Sequence, residues 1–132
     1  MGTLARDSGD IRQMPESKTY AGGCHCGRVR YEVATDLATV MECNCSHCSK
    51  RGILLTFVTP DKFTALAGGD GLKDYQFNKK MIHHLLCPDC GIESFARGRA
   101  PDGKEMVAIN VRCLEGVDVN SLSLTPFNGR DM

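Results

Sequence analysis

The chain has no tryptophan, and its only aromatics are five phenylalanines and three tyrosines in 132 residues. So few flat rings leave little surface on which bases could stack, which disfavours a single-stranded nucleic-acid binder. An excess of one charge is missing too: sixteen Lys and Arg meet sixteen Asp and Glu, and the pI is about 6.9. The totals lack the basic surplus that a phosphate backbone attracts, so nucleic acid is not an expected partner. Nor does any stretch approach the roughly 20 apolar residues of a membrane span, so no membrane partner is expected. The first residues, MGTLARDSGDIRQMPESKTY, carry charges throughout and contain no apolar signal-peptide core. The expectation is a soluble, cytoplasmic protein in a reducing compartment, where cysteines at CxC and CxxC spacing serve as metal ligands more often than as disulfides.

Helical periodicity is also scarce. No segment sustains a 3.6-residue apolar period for ten residues, and the best helical candidate is one turn over Ser46 to Arg51. Strand patterns are common instead. Arg28 to Val33 alternates, with Val29, Tyr31 and Val33 on one face and Arg28, Arg30 and Glu32 on the other. Ile53 to Val58 and Phe63 to Leu66 are short apolar, β-branched or aromatic runs. Leu72 to Phe77 and Met81 to Leu86 read as a hairpin about Asn78-Lys79-Lys80, its second strand leading into Cys87. Glu93 to Arg97 and Glu105 to Val111 complete the set, separated by Pro101-Asp102-Gly103. The expected organisation is a flexible leader over 1–19 and a single mainly β domain over 20–132, with a core small enough for a bound metal to matter.

What the chain does have is cysteine. Seven of its eight fall into three clusters: Cys24-x-Cys26, Cys43-x-Cys45-x-x-Cys48 and Cys87-x-x-Cys90. A structural zinc takes four thiolates in a closed tetrahedron, and the remaining three suit a catalytic zinc with one open position. Cys43, Cys45 and Cys48 can converge on one ion without help from the rest of the fold. Cys24 with Cys26 and Cys87 with Cys90 are half-sites, and together they close a four-thiolate site across a long loop. Alternatively, Cys24 and Cys26 join the middle cluster and leave Cys87 and Cys90 as a redox pair. The plain reading of all seven is that both metals only stabilise. Against it stands the count, since the remaining Cys113 sits in a strand-like segment as a small hydrophobe.

The histidines say less. His47, inside the middle cluster, is the candidate proton shuttle or fourth ligand, and is the one catalytic candidate besides the three thiolates. His25 flanks the first cluster and is expected to point away. His83 and His84 are neighbours on a strand, so one faces the core and the other solvent. Lys50 and Arg51 read as solvated cations placed to meet a carboxylate of a substrate.

Gly23-Cys24-His25-Cys26-Gly27 leading into a strand, Cys43-Asn44-Cys45-Ser46-His47-Cys48, Cys87-Pro88-Asp89-Cys90-Gly91 and Asn110-Val111-Arg112-Cys113-Leu114 together resemble the glutathione-dependent formaldehyde-activating enzyme family. That family also includes the domain of centromere protein V. The likeness runs from about Tyr20 to Glu115. It implies a fold of the β-tent type, made of short antiparallel strands with metal-bearing turns. It also implies a structural zinc on Cys24, Cys26, Cys87 and Cys90 and a catalytic zinc on Cys43, Cys45 and Cys48. The activity it implies is that of a carbon–sulfur lyase, acting on adducts of glutathione or another small thiol with formaldehyde or a related electrophile. The rival expectation is a non-enzymatic, zinc-stabilised protein-binding module of the same fold.

Overall fold

The computed structural model describes residues 17–77 and 82–131. The expected leader falls outside the described residues as far as residue 16, and so does the hairpin turn over Asn78, Lys79, Lys80 and Met81. The chain is mainly β. Its strands are β1 (Lys18–Gly23), β2 (Arg30–Thr35), β3 (Val40–Cys43), β4 (Leu55–Val58), β5 (Phe63–Ala67), β6 (Lys73–Tyr75), β7 (His83–Leu86), β8 (Glu93–Arg99), β9 (Glu105–Asn110) and β10 (Leu124–Phe127). The single α-helix of the described residues, α1 (Ser46–Arg51), lies between β3 and β4.

The strands form two sheets, one of three strands in the order β1-β2-β5 and one of seven in the order β10-β3-β4-β9-β8-β7-β6. All pairings are antiparallel except that of β10 with β3, which is parallel. Alternation on β2 matches the sequence pattern: Tyr31 and Val33 are buried while Glu32 is exposed. β8 behaves differently, because Glu93, Ser94, Phe95 and Ala96 are all buried. That strand is covered on both faces, so alternation is lost there.

One core joins the sheets. Tyr31 of β2 and Phe63 of β5 meet Phe95 of β8, with ring centroids 4.7–5.8 Å apart. Val33, Val107, Ile109 and Val111 fill the space around them. Such an aromatic cluster contributes about 0.5–1.5 kcal/mol per pair beyond its area, when ring edges meet ring faces. Tyr31 also donates its hydroxyl to the Ser94 carbonyl at 3.4 Å. No helix among the described residues is long and apolar enough to cross a membrane.

The expected strands starting at Arg28, Ile53, Phe63, Leu72, Met81, Glu93 and Glu105 each overlap an observed strand, though β2, β5 and β8 run one or two residues past the expected ends, and the helical turn coincides with α1. Sequence reasoning missed β1, β3 and β10. β1 ends in two glycines, β3 is four residues long, and β10 is exposed throughout and contains Pro126. Proline lacks the N–H a central strand needs, but β10 is at the sheet edge, where that loss is tolerated.

Candidate metal centres

Two turns from different sheets build the first centre. After β1 the chain turns back at Cys24, whose N–H donates to the Val29 carbonyl at 3.1 Å while the Val29 N–H donates to Cys24 Sγ at 3.3 Å. After β7 the Cys87 N–H donates to the Ile92 carbonyl at 3.0 Å, and Cys90 N–H points at Cys87 Sγ from 3.5 Å. Gly27 and Gly91 adopt positive φ values of 84° and 80°, which lets each turn close behind its cysteines. The four sulfurs of Cys24, Cys26, Cys87 and Cys90 all lie within 4.8 Å of one another. Sγ of Cys26 stands 3.6 Å from those of Cys24 and Cys87. Two sulfurs bound at ~2.3 Å in a tetrahedron stand about 3.8 Å apart, so the donor set fits a zinc-sized ion.

The thiols of this group titrate unevenly. Burial raises Cys90, but N–H groups of Ile92 and Cys26 and the neighbouring thiols outweigh it and bring the group down to about 6. For Cys26 the Arg28 N–H favours the thiolate, yet burial and the three other thiols push it up to about 12. Four sulfurs packed this closely cannot all ionise without a cation between them.

The second centre is local. Cys43 ends β3, Cys45 is the N-cap of α1, and Cys48 is buried in the first turn. Cys45 Sγ accepts the Cys48 N–H at 3.3 Å and also the His47 N–H. Burial would raise the Cys45 thiol, but these bonds together with the thiols of Cys48 and Cys43 outweigh it and bring the group below its ordinary value. Burial, followed by the neighbouring sulfurs, holds Cys48 well above it. The three sulfurs lie within 4.8 Å of one another, and no fourth His, Cys, Asp or Glu among the described residues joins them.

The tail after β10 lies over this group. Asn44, between two of the cysteines, donates to Asn128 Oδ1 at 3.0 Å, accepts the Arg130 N–H at 2.9 Å, and donates its own N–H to the Phe127 carbonyl at 3.0 Å. Gly129 comes so close that a Cβ there would stand 2.5 Å from Cys43 Sγ. Beside it a cleft of about 510 Å³ is lined by Cys43, Cys48, Asn44, Phe127, Asn128 and Arg112, among others. That size is ordinary for a small-molecule site.

His47 does not turn toward the thiols' cleft. Its ring is buried against β7 and β8, where Glu93 accepts His47 Nε2–H at 2.6 Å and His84 Nδ1–H at 3.0 Å. The His47 and His84 ring centroids are 4.1 Å apart, and Phe77 stacks on both rings. Nitrogen and oxygen ligands of one ion would stand about 3 Å or more apart, so the 2.6 Å contact marks a hydrogen bond rather than a shared metal. Burial raises the Glu93 carboxyl, but the two imidazole hydrogen bonds outweigh it and hold the group below its ordinary value. Glu93 went unrecognised in the sequence; its one signal is a charge at the head of an apolar strand.

The remaining candidates lie apart. Cys113 Sγ sits 4.0 Å from the Glu93 carbonyl and belongs to neither sulfur group. His25 is exposed, and His83 is exposed and paired with Asp74. Lys50 and Arg51 are exposed on the last turn of α1 and do not line the cleft.

Residues 19–125 match the family model described as glutathione-dependent formaldehyde-activating enzyme. The chain belongs to that family. A crystal structure of a Rhodobacter sphaeroides protein is similar, at 30% identity and a TM-score of 0.68. The likeness covers 80% of this chain and 99% of that one, so the two share a fold over nearly the whole of the solved protein.

Proposed function

We propose that this chain is a zinc-dependent carbon–sulfur lyase of the S-hydroxymethylglutathione synthase type, acting on adducts of a small thiol such as glutathione with formaldehyde or a related aldehyde. The observation that carries this reading is the three-sulfur group with no fourth ligand among the described residues, set at a cleft, in a member of this family. The reading assigns two zinc ions per chain, a structural one to Cys24, Cys26, Cys87 and Cys90 and a catalytic one to Cys43, Cys45 and Cys48. When bound there, zinc would favour the thiolate form of a substrate at neutral pH, and three thiolate ligands would favour sulfur as the fourth donor.

In the reaction a sulfur lone pair forms the new bond to the carbonyl carbon. The C=O π pair moves to oxygen, and the thiol proton ends on that oxygen. Nothing is oxidised or reduced, and the reverse step breaks the same bond. The chain's own residues prepare the site. The N–H groups of His47 and Cys48 hold Cys45 Sγ in place and favour its thiolate. Asn44 fixes the tail that forms one wall, and Ile53, Leu54 and Phe127 give the cleft apolar surface. His47 acts as a positioning residue: through Glu93 it anchors the short helix that carries Cys48 to the β7–β8 hairpin.

The test is chemical exchange between formaldehyde, glutathione and their adduct, followed by NMR. Metal-loaded protein should raise the exchange rate well above the uncatalysed rate, and Cys45→Ser should abolish the gain. Exchange at the uncatalysed rate with both sites loaded would favour the binding-module reading instead.

A further inference from the structure

The cleft beside Cys43 and Cys48 has two charged lining side chains, Arg112 and Glu42. Neither takes part in an ion pair with another described residue. Arg112 is nonetheless held in position. Its N–H donates to Asn110 Oδ1 at 3.1 Å, and buried Asn110 in turn donates to the Glu93 carbonyl at 3.0 Å. Its side-chain Nε donates to the Gly52 carbonyl at 2.8 Å, at the C-cap of the helix that carries Cys48. With Nε engaged, the two terminal nitrogens remain as a fork on an exposed side chain. A tethered guanidinium with no anionic partner among the described residues, facing a cleft lined by Cys43 and Cys48, is suited to bidentate recognition of a carboxylate.

We propose that Arg112 is the carboxylate-binding residue of this cleft, so that the chain selects thiols carrying a carboxylate over neutral thiols of the same size. The inference rests on the proposed function, since it takes the cleft to be where the thiol enters. Lys50 and Arg51, the cations that sequence position favours, are outside the cleft lining. Glu42, the opposite charge in the same lining, repels a carboxylate and confines its place to the Arg112 side.

The experiment is calorimetric titration of the full-length, metal-loaded protein with 3-mercaptopropionate and with its methyl ester, in which one added methyl group removes the charge. Wild type should bind the acid about tenfold or more tightly than the ester. Arg112→Gln should bind the two alike while keeping the affinity for the ester within about twofold, with circular dichroism and metal content unchanged. Equal binding of acid and ester by wild type, or a preference for the acid that survives in Arg112→Gln, would overturn the assignment and leave the thiol reading standing. If wild type binds neither compound, the thiol reading fails and this inference fails with it.

Discussion

Glu93 is the residue on which the local architecture turns, because one buried carboxylate receives two imidazole N–H groups from different elements. Removing its charge while keeping its shape, Glu93→Gln, should lower the unfolding free energy by about 1–3 kcal/mol at pH 7. The pH dependence has a definite sign. The folded carboxyl lies below its ordinary 4.5, so its contribution is fully present above about 4.5 and is lost as pH falls through the lower folded value. Denaturant unfolding of wild type against Glu93→Gln from pH 7 downward should show the difference shrinking in that acid window. A constant difference down to the acid transition would mean the carboxylate is not what the histidines stabilise. At this scale the cysteines were legible in the sequence because their spacing within each cluster is local. Glu93 was not, since its partners lie 46 and 9 residues away and nothing in a single chain marks that pairing.

Among the elements, the six-residue helix and the edge strand are the least self-sufficient. α1 is too short to persist alone and depends on its Cys45 cap, its Gly52 C-cap and the contact of His47 with Glu93. β10 is exposed along its length, and its position is set by parallel pairing with β3 and by Asn44. Gly129→Ala tests that arrangement, because the added methyl would need the space occupied by Cys43 Sγ. The variant should stay folded and lose about tenfold or more in metal affinity at the Cys43, Cys45 and Cys48 group, read by chelator competition. Unchanged affinity at both sites would show that the tail is not fixed over the sulfur group. Strand patterns were legible where one face is buried, as on β2. They were hidden in β10, whose sequence Leu-Thr-Pro-Phe carries no alternation and is held by pairing that sequence alone does not reveal.

At the scale of the molecule, the first centre joins the three-stranded sheet to the seven-stranded one, since Cys24 and Cys26 follow β1 while Cys87 and Cys90 lie between β7 and β8. Structural zinc binding is worth about 10–16 kcal/mol, the same order as the stability of a whole domain. On the proposed assignment of zinc to both centres, Cys24→Ser or Cys87→Ser should therefore lose most soluble protein, whereas Cys45→Ser should lose one metal and keep the β-type circular dichroism. The reverse pattern would exchange the roles of the two centres. Whether the three-sulfur group takes a substrate sulfur, as proposed, can be read by cobalt substitution. Titrating glutathione into the cobalt-loaded protein should raise the sulfur-to-metal charge-transfer absorption of wild type, and should leave a Cys45→Ser variant loaded only at the first centre unchanged. A wild-type spectrum that stays constant across a panel of thiols, with both sites shown to be loaded, would contradict it.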